Sequence, residues 1–113
     1  MLKPKKSLGQ NFLLDKNICK KIVSLTEIKN KNILEIGPGT GQLTNEILKK
    51  KPSKLILIEK DIELYKILKN KYINKKFVTI YNEDILKFNF KNYKNLIIIS
   101  NLPYNISVKI IFK

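Results

Sequence analysis

The stretch Glu35-Ile36-Gly37-Pro38-Gly39-Thr40-Gly41 sets three glycines at alternate positions behind an acid. Glycine admits positive φ and lets a ligand approach the backbone, and a helix starting just after would offer unpaired N–H groups. A dinucleotide fingerprint would need its third glycine at position 42, where the chain has Gln42. Glu59 lies roughly twenty residues further on, where a carboxylate can accept hydrogen bonds from both ribose hydroxyls of an adenine nucleoside. Its other reading is a solvated acid beside Lys60. Asp84, in Asn82-Glu83-Asp84-Ile85, could accept a hydrogen bond from an adenine amino group or cap a turn. In Asn101-Leu102-Pro103-Tyr104, the Asn101 side-chain oxygen and the Pro103 carbonyl could hold the hydrogens of a conjugated amine while Tyr104 stacks on its base. In isolation that tetrapeptide is an ordinary proline turn with a core tyrosine.

These residues need elements to position them. Asp15 is a candidate N-cap for a helix that places Ile18, Ile22, Val23 and Leu25 on one face. Asn32 to Ile36 reads as a buried strand ended by the glycines, and Leu43, Ile47 and Leu48 mark a helix that stops before Pro52. Lys54 to Glu59 is nearly continuous hydrophobe, the pattern of a parallel strand covered on both faces. Asp61 caps a helix carrying Leu64, Ile67, Leu68 and Tyr72; Phe77 to Tyr81 and Leu96 to Ser100 give two more strands, with a loop or short turn over Lys87 to Lys94. Alternating strands and helices predict an α/β fold with a doubly wound parallel sheet in the order 3-2-1-4. Strands one and four are then neighbours, and the tetrapeptide meets the glycine loop at the switch-point crevice. Apolar residues after Ser107 predict the first turns of another helix, which leaves strand four at the sheet edge. The chain thus reads as the N-terminal part of a longer protein.

Composition narrows the classes. The length of 113 residues suits one domain, and 43% apolar content argues against disorder. A net charge of +14 favours a polyanionic partner such as nucleic acid, yet all 23 basic residues are lysine, so compositional drift toward a solvated lysine surface is the rival explanation. Lys3, Lys5, Lys6, Lys20 and Lys21 are the candidates for phosphate contact. The absence of histidine removes histidine general bases and most zinc sites, and no ligand cluster suggests a metal. Cys19 stands alone, which excludes an intrachain disulfide, fits a reducing cytoplasm and reads as a small buried side chain. No stretch approaches the roughly 20 apolar residues of a membrane span.

The G-x-G-x-G spacing behind an acid resembles motif I of class I S-adenosylmethionine-dependent methyltransferases. With Lys6-Ser7-Leu8-Gly9-Gln10-Asn11-Phe12-Leu13, Glu59, Asp84 and Asn101 to Tyr104, the chain resembles, over essentially its whole length, the ribosomal RNA adenine dimethyltransferase family. Gly9 and Leu102 bring it closest to the small-subunit, KsgA-type branch, although a large-subunit branch shares most of the pattern. The resemblance implies a Rossmann-like fold and S-adenosyl-L-methionine as cofactor. By the same resemblance Asn11 and Leu13 would close over the cofactor, Gly37 would contact its methionine portion, Glu59 its ribose and Asp84 its adenine, with Gly39 also in the cofactor site. Asn101 would bridge cofactor and target base, with Pro103 and Tyr104 beside it. Family members continue through further strands into a helical C-terminal domain, so residues 1–113 correspond to the N-terminal part of the catalytic domain.

The expected activity is dimethylation of two adjacent adenosines near the 3′ end of small-subunit rRNA, with rRNA and the small ribosomal subunit or its precursor as partners. The rival class is a non-catalytic RNA-binding or ribosome-assembly factor; intact Gly37, Glu59, Asp84 and Asn101 argue against it. A small-molecule methyltransferase is disfavoured by Asn-Leu-Pro-Tyr.

Overall fold

The computed structural model describes residues 16–91, 93–101 and 106–111, with the side chain of Val108 alone among those beyond Ser100. The elements are α1 (Lys16–Ser24), β1 (Asn32–Ile36), α2 (Gln42–Lys49), β2 (Lys54–Ile58), α3 (Ile62–Lys71), β3 (Val78–Tyr81), a 3-10 turn over Ile85–Lys87, β4 (Leu96–Asn101) and β5 (Ile106–Ile111). The strands form one sheet in the order β3-β2-β1-β4-β5. The first four are mutually parallel, as the alternation of strands and helices predicts.

Period-two alternation divides the strand side chains between two cores. On one face Ile33, Leu55, Leu57, Ile97 and Ile99 pack beneath Cys19, Ile22 and Val23 of α1, Leu43 and Ile47 of α2, and Leu68 of α3 with Tyr72 at its end. All three helices therefore lie on this side. The opposite face carries Leu34, Ile56, Ile58, Leu96 and Ile98, covered by Tyr81, Ile85, Phe88, Phe90 and Tyr93. There Phe88 meets Tyr81 and Phe90 edge-on at centroid distances of 5.3 and 5.0 Å, and the Tyr81 and Tyr93 hydroxyls lie 3.0 Å apart. The stretch expected as a loop is thus the cover of the second face, built from rings rather than from a helix. Burying each large aliphatic chain contributes about 1.5–3 kcal/mol.

Two expectations need correction. The segment after Ser107 is a strand, not a helix: β5 pairs antiparallel with β4 from Asn101 opposite Ile106 to Leu96 opposite Ile111. Ile106, Val108 and Ile110 alternate with Ser107 and Lys109, a strand period, and the pairing satisfies the ladder that β4 would otherwise leave open. Among the described residues the sheet edge on this side is β5. In addition, Ile18, Leu25 and Ile67 are exposed, because the buried stripe of α1 runs through Cys19, Ile22 and Val23 and that of α3 through Leu64 and Leu68. Asp15 lies outside the described residues.

Among the described residues no helix is long and apolar enough to cross a membrane. Asp61 does cap α3: its Oδ1 accepts from the Glu63 and Leu64 backbone N–H groups at 2.8 and 3.1 Å. Lys69 and Lys71 lie in the last turn, the favourable sign for the helix dipole. Asp61→Ala is expected to lower unfolding stability by about 1 kcal/mol while Asp61→Asn retains most of it, read from urea midpoints. An unchanged midpoint in the alanine variant would show that the cap contributes nothing.

Candidate active site

The strand registers end in line. Ile36 stands opposite Ile58 on one side and Ser100 on the other, and Ile58 stands opposite Tyr81. One residue further along each strand comes a row across the sheet: Asn82, Glu59, Gly37 and Asn101. With neighbouring strands about 4.8 Å apart, the row is roughly 14 Å long. Backbone bonds continue past the strands to hold it, from Gly37 N–H to Ile58 O at 3.0 Å and from Glu59 N–H to Tyr81 O at 2.9 Å.

At the centre of the row the chain turns through the glycines. Gly37, Gly39 and Gly41 have φ of 69°, 62° and 93°, and Gly41 N–H closes the turn on Pro38 O at 2.9 Å. Among the described residues a β-carbon at Gly39 would meet nothing within 4 Å, so the loop opens away from them there. At Gly41 a β-carbon would come within 2.6 Å of the Tyr72 hydroxyl and 3.0 Å of Lys71 Nζ, so packing as well as φ demands glycine. α2 starts on Gly41 with no side-chain cap.

Glu59 is 4% exposed and ties the loop to the next element. Its Oε1 accepts from Gly39 N–H at 3.1 Å and its Oε2 from Asp61 N–H at 2.9 Å. Burial pushes its pKa above the ordinary carboxylate value, opposed by these two hydrogen bonds and reinforced by the charge of Asp61. Asn82 completes the junction by donating to the Glu59 and Lys60 carbonyls at 2.9 and 3.0 Å. Asp84 caps the 3-10 turn through Leu86 N–H at 3.0 Å and faces Lys60 Nζ at 3.8 Å, so the capping alternative holds at this residue. Asn101 ends β4, level with Gly37. Asn11, Leu13, Pro103, Tyr104, Lys3, Lys5 and Lys6 lie outside the described residues, and Lys20 and Lys21 are exposed on α1.

Beneath the loop is a polar cluster that the motifs did not reveal. Glu35 is fully buried on the helix-covered face, where Thr44 Oγ1 donates to its Oε1 at 2.5 Å and its Oε2 has no partner among the described residues. Tyr72 Oη bonds to Asn45 Oδ1 at 2.7 Å and lies 3.5 Å from Gly41 O. The available signal was the period of β1: Glu35 shares its face with Ile33, where α2 must pack.

The model of the ribosomal RNA adenine dimethylase family matches residues 1–113. The chain belongs to this family. It is 52% identical to ribosomal RNA small subunit methyltransferase A of Pelagibacter ubique, over 99% of the chain and 43% of that protein. The Mycoplasmopsis pulmonis protein of the same name is 47% identical, over 99% of the chain and 44% of its own length. The chain therefore spans less than half the length of these relatives. The crystal structure of a dimethyladenosine transferase from Plasmodium falciparum superposes with a TM-score of 0.68 at 28% identity, covering 81% of the chain and 34% of that protein. The dimethylase resemblance read from the motifs is borne out, and so is the class I methyltransferase fold.

In this member of the dimethylase family the environment of Glu35 has a measurable signature. Burial, opposed by the Thr44 hydrogen bond and reinforced by the charge of Glu59, pushes its pKa up to about 8. The folded state therefore holds a proton that the unfolded chain releases above the ordinary carboxylate value of 4.5. Stability then falls as pH rises from that value toward 8, by at most about 1.4 kcal/mol per pH unit for one proton, and levels off above it. Glu59 acts in the same direction. Glu35→Gln keeps an acceptor for Thr44 and carries no charge, so it is expected to flatten this slope and raise stability at pH 8. Denaturant titrations from pH 5 to 9 that gave parallel slopes for both proteins would contradict the buried neutral acid.

Proposed function

We infer that the chain is the cofactor-binding part of an S-adenosylmethionine-dependent rRNA adenine N6-dimethyltransferase. Its substrate is two adjacent adenosines near the 3′ end of small-subunit rRNA, met in the cytoplasm on the small ribosomal subunit or its precursor. The observation that carries this reading is the order of the row. From β3 to β4 it presents Asp84 just past Asn82, then Glu59, then Gly37, then Asn101. That is the order of adenine, ribose, methionine and acceptor along the cofactor and its target. The names of the relatives and the family match support the same activity.

The residues present fit the cofactor. Among the described residues, space above Gly39 leaves room for a ligand against the backbone, and α2 starts on a glycine, which puts no side chain of its own over the helix N-terminus. Glu59 uses one acceptor site of each oxygen on Gly39 and Asp61, and each oxygen keeps another for a ribose hydroxyl. S-adenosylmethionine supplies a methyl group on a positively charged sulfur. Asn101 and the Pro103 carbonyl hold the hydrogens of the adenine amine, which turns its lone pair out of conjugation, and Tyr104 stacks on the base. The proton released with each new N–C bond passes to water, and the chain contributes alignment and fixed dipoles rather than a titrating base. By the family resemblance Asn11 and Leu13 would close over the cofactor, and further residues of a full-length family member would supply the rest of the RNA surface.

Calorimetric titration of the protein with S-adenosylmethionine is expected to show saturable binding that Glu59→Ala weakens about 10- to 100-fold, the loss of one to two hydrogen bonds to a charged group. Asn101→Ala is expected to cut methyl transfer to small-subunit rRNA by about 100-fold. Unchanged turnover in both variants would overturn the site assignment.

A further inference from the structure

The glycine loop is held from behind by residues that belong to no motif. Lys71 Nζ, from the last turn of α3, donates to Thr40 O at 3.1 Å. The Tyr72 hydroxyl bonds to Asn45 Oδ1 at 2.7 Å and reaches Gly41 O at 3.5 Å. Lys71 Nζ also sits 5.3 Å from the centroid of the Tyr72 ring, so the two side chains brace each other. Tyr72 is buried and is fixed in the core of the helix-covered face. Two contacts thus converge on the Thr40 and Gly41 carbonyls, each from a residue 31 positions away in sequence.

We propose that Tyr72 and Lys71 are positioning residues for cofactor binding: Lys71 holds the Thr40 carbonyl toward α3, and Tyr72 holds Asn45 in the first turn of α2, so that together they fix the glycine loop in its ligand-ready form. The peptide is planar and trans, so a carbonyl drawn toward α3 sets the following N–H on the opposite side. For Thr40 that N–H is the one from Gly41 that closes the turn on Pro38 O. The Gly41 carbonyl accepts the Asn45 N–H at 2.9 Å, so Tyr72 holds this end of the loop through Asn45. Three glycines at positive φ have no side chains of their own to hold this arrangement, and a loop left to order on binding would subtract that ordering from affinity. Neither residue is placed against the ligand; both act through the loop. The proposal rests on the cofactor reading above, and its test separates the two.

The variants are Tyr72→Phe, which keeps the ring and removes the hydroxyl, and Lys71→Met, which keeps the stem and removes the charge. Each is expected to raise the dissociation constant and KM for S-adenosylmethionine about 3- to 10-fold, with kcat at saturating cofactor within twofold of the parent. In the ligand-free protein, hydrogen exchange at the amides of residues 37–44 is expected to quicken while β1 and β2 stay protected. A merely structural role would lower the melting temperature and leave the dissociation constant and loop exchange at parent values, and that result overturns the proposal. If Tyr72→Phe does not fold, Lys71→Met decides by the same readouts. If the parent does not bind S-adenosylmethionine, the cofactor reading fails; quickened loop exchange in the variants then still supports the brace, and unchanged exchange removes it.

Discussion

The carboxylate of Glu59 holds three separate pieces of backbone in one place. It sits at the end of β2, takes the Gly39 N–H with one oxygen and the Asp61 N–H with the other, and is itself nearly inaccessible to water. The first bond fixes the apex of the glycine loop, and the second fixes the residue that caps α3. Since β2 lies between β1 and β3, the strand tops are registered through the same point. An apolar side chain here would leave the part-buried Gly39 N–H and the buried Asp61 N–H without this acceptor, a cost of about 1–3 kcal/mol for the buried one. In the proposed reading the carboxylate that orders the unliganded site is also the one offered to a ribose.

Much of this architecture was legible because it follows from one-dimensional patterns. The continuous hydrophobe of Leu55 to Ile58 and Leu96 to Ile99 announces strands covered on both sides, and the Gly37 to Gly41 spacing after a strand announces a loop that approaches a ligand. Once the strand order is 3-2-1-4, Glu59 and Asn101 fall beside Gly37 without further information. Asp61 as a helix cap could be read from residue type and position alone.

What was not legible depends on contacts between distant segments. Tyr72 reads locally as one more apolar position of α3, and nothing near it in sequence says that its hydroxyl lies over the start of α2. Glu35 belongs to a recognisable motif, but its burial with Thr44 follows from which face of β1 the helices choose. The aromatic cover at Phe88, Phe90 and Tyr93 has no regular period because its rings pack on one another rather than along a helix. β5 was misread because a short apolar run carries either period, and the open ladder of β4 decided the matter.

α3 touches the glycine loop at both of its ends. Asp61 and Glu59 join its first turn to Gly39, while Lys71 and Tyr72 join its last turn to Thr40 and Gly41. The helix thus works as a strut of fixed length between two attachment points, and its ten residues set that length. Adding or deleting one residue inside it would rotate the far end by about 100° and shift it by about 1.5 Å, so the two attachments could not be kept together. Length variation should therefore collect in the exposed residues 73–77 that follow, and the span from Ile62 to Lys71 should keep its count even where its exposed side chains change freely.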